Sequence, residues 1–293
     1  EAGRAGREHE PSAGLPAPIA GDFQDWLLPS LERAFGARAA HEGAALATRA
    51  PVDMRVNTLK ADRDKVAKAL AAHGAVPTPL SPLGLRIPPP VGAGRTPNVE
   101  AEPAHGKGWF EIQDEGAQVA ALMAGPRPRP RGGGPCAGAG GKTLALAAGL
   151  RNTGQIYAYD RDKGQLRPIF ERLKRAGVRN AQVMDAGDEA ALAALGPRFD
   201  VVFADVPCTG SGVWRRRPDS KWRLKPQNIA ERQAEQQAAL AAAKGLVKPG
   251  GRLVYVTCSI LPEENGDQIA RFLEGAPGFS IVPFARQWQG TIG

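Results

Sequence analysis

Two short segments carry a thiol where a reaction could use one. Asp205-Val-Pro-Cys208-Thr-Gly-Ser-Gly sets a carboxylate and a cysteine three residues apart, just after the apolar run Phe199 to Ala204. Val256-Thr257-Cys258-Ser259 places another cysteine directly after a second apolar run, fifty residues beyond the first thiol. A cysteine at a strand terminus, near backbone donors and basic side chains, can lose its proton and act as a nucleophile. Cys136 is the third and last cysteine, and no two of them form a Cys-x-x-Cys pair. All four histidines (His9, His41, His73 and His105) precede all three cysteines. These residues therefore predict no metal site and disfavour Cys–His hydrolase chemistry. Without further context, three dispersed cysteines read as reduced thiols of a cytoplasmic protein.

A second cluster concerns small-molecule binding. Cys136-Ala137-Gly138-Ala139-Gly140-Gly141-Lys142-Thr143 opens the helical run Leu144 to Leu150. Glycines at the start of a helix let backbone N–H groups approach an anionic or zwitterionic ligand. The segment fails as a phosphate-binding P-loop, which needs glycine where Cys136 stands, so nucleotide hydrolysis is disfavoured. Asp160 closes the next strand, where a carboxylate can accept hydrogen bonds from ribose hydroxyls. Glycine turn and Asp160 together predict a nucleoside cofactor.

A third cluster concerns polyanions. Trp214, Arg215, Arg216, Arg217, Lys221, Trp222 and Arg223 follow the first thiol closely. Arginine and lysine neutralise phosphates, and tryptophan stacks on an unpaired base, so this loop predicts RNA or single-strand binding. The chain of 293 residues carries 38 Lys+Arg against 30 Asp+Glu, a net charge of +8. Residues 127–179 alone hold twelve basic and three acidic side chains, a surplus larger than that of the whole chain. A basic face on the catalytic half suits a phosphate backbone.

The elements that must position these groups alternate strand and helix. Gln155 to Tyr159, Ala181 to Met184, Phe199 to Ala204 and Arg252 to Thr257 read as strands. Lys163 to Ala176 and Asn228 to Val247 read as helices between them, the latter ended by Pro249-Gly250-Gly251. That alternation predicts an α/β fold with a doubly wound, mostly parallel sheet. Ligands bind beyond the carboxyl ends of such strands, where Asp160, Asp185, Asp205 and Cys258 fall. Upstream, the strands Val52 to Leu59 and Leu83 to Ile87 flank a helix from Asp62 to His73, a small α+β module. The expected organisation is a disordered lead-in over 1–21, a helical segment over 22–50, the α+β (RRM-like) module over 51–112, and a Rossmann-like domain over 113–293 that is truncated at its C-terminus. No run approaches 18 apolar residues, so no membrane span is expected.

On these motifs the chain resembles the RsmB/Nop/Sun-type RNA cytosine-5 methyltransferases, closest to the bacterial 16S rRNA branch. The carrying segments are RVNTLK at 55–60, FEIQDEGAQ at 110–118, CAGAGGKT at 136–143, DVPCTGSGVWRRRPDSKWR at 205–223 and VYVTCSILPEEN at 254–265. The likeness extends over about residues 22 to 285. It implies a class I S-adenosylmethionine-dependent methyltransferase fold, with rRNA rather than tRNA as substrate. Cys136 to Lys142 would form the cofactor loop, Asp160 would hold the ribose, and Asp185 would sit near the adenine. Asp205 would lie between cofactor and target base. Cys258 would be the nucleophile and Cys208 the thiol that assists product release. Arg55 and Asn57 of the first motif are expected to touch RNA.

One stretch departs from the family pattern. Where an apolar strand should precede the cofactor loop stands Arg127-Pro-Arg-Pro-Arg-Gly-Gly-Gly-Pro135. Three prolines and three glycines are expected to form no central parallel strand. That expectation supports a second reading, a non-catalytic RNA-binding or ribosome-assembly factor with impaired cofactor binding.

Overall fold

Alternation along Val52–Val56 (β1) turns Met54 and Val56 to an apolar core, and Asp53 and Arg55 to the opposite face. The apolar side packs with Val66, Leu70, Leu85, Ile87 and Phe110. In the computed structural model, which describes residues 14–92, 94–125, 131–135 (backbone) and 140–283, β1 lies inside an antiparallel sheet. It pairs with β3 (Gly84–Ile87) and β4 (Phe110–Ile112), and β2 (Val76–Pro77) pairs with β3 at the edge, giving the order β2-β3-β1-β4. Asp62 caps the intervening helix by accepting from the Lys65 amide at 2.8 Å. That helix stops at Ala69 and finishes as a tighter turn, Ala71–His73, before Gly74 at φ +68°. Residues 1–13 of the expected lead-in lie outside the described residues, whereas Ala17–Ala20 form a helical turn that buries Pro18.

The second sheet is wholly parallel. Its strands are β5 (Arg131–Pro135), β6 (Gln155–Tyr159), β7 (Ala181–Val183), β8 (Phe199–Asp205) and β9 (Val247–Val256), ordered β7-β6-β5-β8-β9. The glycine-rich stretch thus forms the central strand, correcting the expectation that it could not. Five residues of β5 pair with β6, and Gly132 and Gly133 also pair with β8. Glycine retains its amide donor, and the one proline of the strand, Pro135, stands at its last position, where few ladder bonds remain to lose. The second reading loses the premise it stood on.

Three smaller differences have local causes. Pro168 divides the expected helix 163–176 into Lys163–Leu166 and Ile169–Ala176, because proline lacks the amide donor and crowds the preceding turn. The helix expected from Asn228 runs Pro226–Lys244. β9 begins at Val247, since Phe199 pairs with Val247 and its amide donates to Leu246; Pro249-Gly250-Gly251 is absorbed as a register shift before Arg252.

The chain divides into two units. One comprises residues 51–206, 239–256 and 281–293 and holds both sheets, so the expected 51–112 module shares a unit with the parallel sheet. Gly108, at φ +73°, permits the close approach within it: a Cβ there would stand 2.0 Å from the Arg175 carbonyl oxygen. The other unit comprises residues 1–50, 207–238 and 257–280. Its core gathers Phe23, Leu27, Leu31, Trp214, Leu224 and Leu261. Among the described residues no helix is long and apolar enough to cross a membrane.

Candidate active site

In the unit that holds both sheets, chain order reverses at β5, with β6 on one side and β8 on the other. Open parallel sheets bind ligands at that switch point, beyond the strand carboxyl ends. Asp205 is the last residue of β8, Asp160 follows β6 directly, and Asp185 lies two residues past β7. Gly140 caps the helix Gly141–Gly149 at φ +87°. A Cβ at Gly140 would meet Ile169 Cγ1 at 2.5 Å, so only glycine fits the turn. Cys136, Ala137, Gly138 and Ala139 lie outside the described residues.

The Lys142 ammonium donates to Asp205 Oδ2 at 2.5 Å. No sequence signal linked these two groups, which stand 63 residues apart. Asp160 is not a helix cap. Its Oδ1 accepts from the Asp162 amide at 2.9 Å, and Asp162 caps the following helix instead.

In the other unit the two cysteines meet. Cys208 Sγ and Cys258 Sγ are 3.2 Å apart as free thiols, and the Cys258 amide donates to Cys208 Sγ at 3.3 Å. The hydrogen bond with Cys258 pushes the Cys208 thiol well above the usual range, and burial and the neighbouring Cys258 charge add to it. Cys208 is partly buried and Cys258 is exposed. The pair therefore combines an accessible sulfur with a partly buried neighbour in hydrogen-bond contact. That is the arrangement a nucleophile and a proton-transfer partner need.

The expected RNA contacts divide. Arg215, Arg216, Arg217, Trp222 and Arg223 are exposed, and the Arg215 guanidinium also donates to the Arg49 carbonyl at 3.0 Å. Trp214 is corrected: it is 1% exposed, inside its unit's core. Lys221 is corrected too, being buried and paired with Asp22. Arg55 and Asn57 are likewise buried. Asn57 Nδ2 donates to the carbonyls of Gly108 and Ala176, each at 2.8 Å. Arg55 Nε donates to Gln113 Oε1 at 2.6 Å, and burial pushes its guanidinium down to about 10. Asn57 thereby ties the small sheet to helix Ile169–Ala176, and Arg55 ties β1 to Gln113 just beyond β4. Glu111 holds Arg172 and Arg175 at 3.0 and 2.6 Å, so part of the basic surplus is neutralised internally.

A family model described as 16S rRNA methyltransferase RsmB/F matches residues 134–291, more than half of the chain. The chain belongs to the RsmB/F methyltransferase family. A second model, the ferredoxin-like domain of RsmF/B-like methyltransferases, matches residues 23–93. The four-stranded order β2-β3-β1-β4 is in keeping with that domain. Among curated relatives, the probable ribosomal RNA small subunit methyltransferase B of Synechocystis is 35% identical over 276 residues, covering 92% of this chain and 60% of the relative. The ribosomal RNA small subunit methyltransferase B of Salmonella heidelberg is 34% identical, covering 87% and 58%. The chain thus spans about three fifths of the relatives it matches. The solved structure of PH0851 superposes with a TM-score of 0.83 at 32% identity, covering 90% of this chain and 59% of that one. NSun6 from Pyrococcus horikoshii, solved with SFG, shares the fold at a TM-score of 0.76 and 24% identity, covering 86% and 88%.

Proposed function

We propose that this RsmB/F-family chain transfers a methyl group to carbon 5 of a cytosine in RNA, with small-subunit rRNA as substrate. The observation that carries the reading is the thiol pair at 3.2 Å, with Cys258 exposed and Cys208 partly buried beside it. Carbon 5 of cytosine is too weak a nucleophile to accept a methyl group unaided. The Cys258 thiolate adds at carbon 6 and makes carbon 5 enamine-like. A proton shared between Asp205 and ring N3 stabilises the negative charge that develops there. Cys208 assists removal of the carbon 5 proton, after which the Cys258–carbon 6 bond breaks and the thiolate leaves. The target base must be unpaired or turned out of its stack, and the exposed Trp222 with Arg215, Arg216, Arg217 and Arg223 forms the surface to receive it.

The residues at the sheet's switch point fit a nucleoside methyl donor. Gly140, Gly141 and Lys142 form the turn and first helical residues, and three carboxylates stand at or just beyond strand ends. S-adenosylmethionine supplies the methyl group. Asp160 would hold its ribose, Asp185 would contact its adenine, and Asp205 would lie between cofactor and base. Calorimetry with S-adenosylmethionine and S-adenosylhomocysteine tests this part, and a folded chain that binds neither refutes it. For the chemistry, Cys258→Ala abolishes methylation, whereas Cys208→Ala accumulates a covalent protein–RNA adduct visible on a denaturing gel. Normal turnover by Cys208→Ala without adduct would sink the two-thiol assignment.

A further inference from the structure

The turns that carry Cys208 and Cys258 are each tied to one of two consecutive side chains. Glu264 ends the short turn Pro262–Glu264 and is fully buried. Its Oε1 accepts from the Thr209 amide at 2.8 Å, and its Oε2 accepts from the Thr209 hydroxyl. Gln236 adds a second hold, its Nε2 donating to the Pro207 carbonyl at 2.9 Å and to Glu264 Oε1 at 3.0 Å. Cys208 is therefore gripped through the residue on either side of it. Asn265 does the same for Cys258. Its Oδ1 accepts from the Thr257 hydroxyl at 2.6 Å, and its Nδ2 donates to the Ser259 carbonyl at 2.9 Å.

One peptide bond joins Glu264 to Asn265, so the two grips cannot move independently. A buried carboxylate is costly to desolvate, and an apolar side chain would fill the same space at lower cost. What Glu264 adds is direction, because its two oxygens fix the Thr209 amide and hydroxyl together. We propose that Glu264 and Asn265 are positioning residues that set the spacing of the thiol pair, Glu264 through Cys208 and Asn265 through Cys258. The proposal rests on the two-thiol reading above and divides its steps between the two residues. Loosening Cys208 leaves addition to the base intact and slows release. Loosening Cys258 slows addition itself.

The test compares Glu264→Gln, Thr209→Val and Asn265→Ala with Cys208→Ala and the unaltered chain. Transcribed small-subunit rRNA and tritiated S-adenosylmethionine report turnover, and denaturing gels report adduct. A displacement near 1 Å costs about a hundredfold in rate. Glu264→Gln and Thr209→Val should lose turnover on that scale while holding excess adduct. Asn265→Ala should lose turnover without excess adduct. A second readout needs no RNA. Diamide takes the hydrogens of both thiols, is reduced to the hydrazine, and leaves a Cys208–Cys258 disulfide that peptide mass mapping detects. Glu264→Gln and Asn265→Ala should form that disulfide about tenfold more slowly, tracking the lost alignment. Unfolding midpoints establish that each variant is folded, and Thr209→Val decides if Glu264→Gln is not. Folded variants with unaltered adduct, turnover and disulfide rates would overturn the proposal while Cys208→Ala still traps adduct. If Cys208→Ala traps none, the two-thiol reading fails instead, and the disulfide rates alone judge the positioning.

Discussion

Trp214 and Trp222 lie eight residues apart in one motif, and the structure buries the first and exposes the second. Trp214→Ala removes a ring that is 1% exposed, packed in a core with Phe23, Leu27, Leu31 and Leu261. A buried tryptophan withdraws about 150–250 Å² from water. At about 25 cal/mol per Å², that is roughly 4–6 kcal/mol. Among the described residues the indole N–H has no hydrogen-bond partner. Its removal relieves an unsatisfied donor worth about 1–3 kcal/mol. The expected net loss is about 3 kcal/mol, which for a chain of this size lowers the melting temperature by roughly 6–12 °C. Trp222 is 54% exposed. Trp222→Ala should change stability by less than about 1 kcal/mol, but on the proposed function it removes a stacking platform worth about 1–3 kcal/mol per base. That weakens RNA binding by roughly 5- to 150-fold. Circular-dichroism melts and anisotropy of a labelled single-stranded RNA at fixed salt separate the two effects. A Trp214→Ala protein with unaltered melting and weakened RNA binding would refute the burial argument. A Trp222→Ala protein that binds RNA normally would refute the stacking argument.

Arg55→Met tests whether the first motif is structural. With the guanidinium held down to about 10, its burial costs on the order of 3 kcal/mol. Because the folded value lies below the unfolded one, that cost is constant below pH 10 and is relieved as pH rises through it. Among the described residues two of the guanidinium nitrogens have no hydrogen-bond partner. The variant should therefore stay within about 1–2 kcal/mol of the unaltered chain in urea unfolding, or exceed it, with RNA affinity unchanged. A tenfold loss of RNA binding would restore Arg55 as an RNA contact. Cys208 gives the opposite sign. Its folded value is raised, so the stability it contributes is complete below the ordinary thiol range, near pH 8.5. Above that range stability falls by up to about 1.4 kcal/mol per pH unit. Urea midpoints from pH 8 to 10 should show this slope, and Cys208→Ser should flatten it; an equally steep slope in the variant would exclude Cys208 as its source.

Much of the frame was legible along the chain. Runs such as Gln155 to Tyr159 and Phe199 to Ala204 announce buried parallel strands, because β-branched and aromatic side chains must be covered on both faces. Strand ends then locate Asp160, Asp185 and Asp205 without coordinates. The central strand escaped this reading because Gly132, Gly133 and Gly134 carry no side-chain pattern. Their pairing is a backbone property supplied by β6 and β8. Arg55, Asn57, Lys221 and Trp214 escaped it for a related reason: residue type gives a preference for water or a base, whereas burial is decided by what packs on top.

The sequence by itself determined the family, the order of elements and which chemical groups are available, since these depend on residue identity and local periodicity. Only the tertiary structure decided which groups touch. Cys208 and Cys258 stand fifty residues apart in the chain and 3.2 Å apart at sulfur. Lys142 finds Asp205 across 63 residues, and Glu264 finds Thr209 across 55. Such contacts form only after sheets and helices have excluded water and closed long loops, so no local pattern records them.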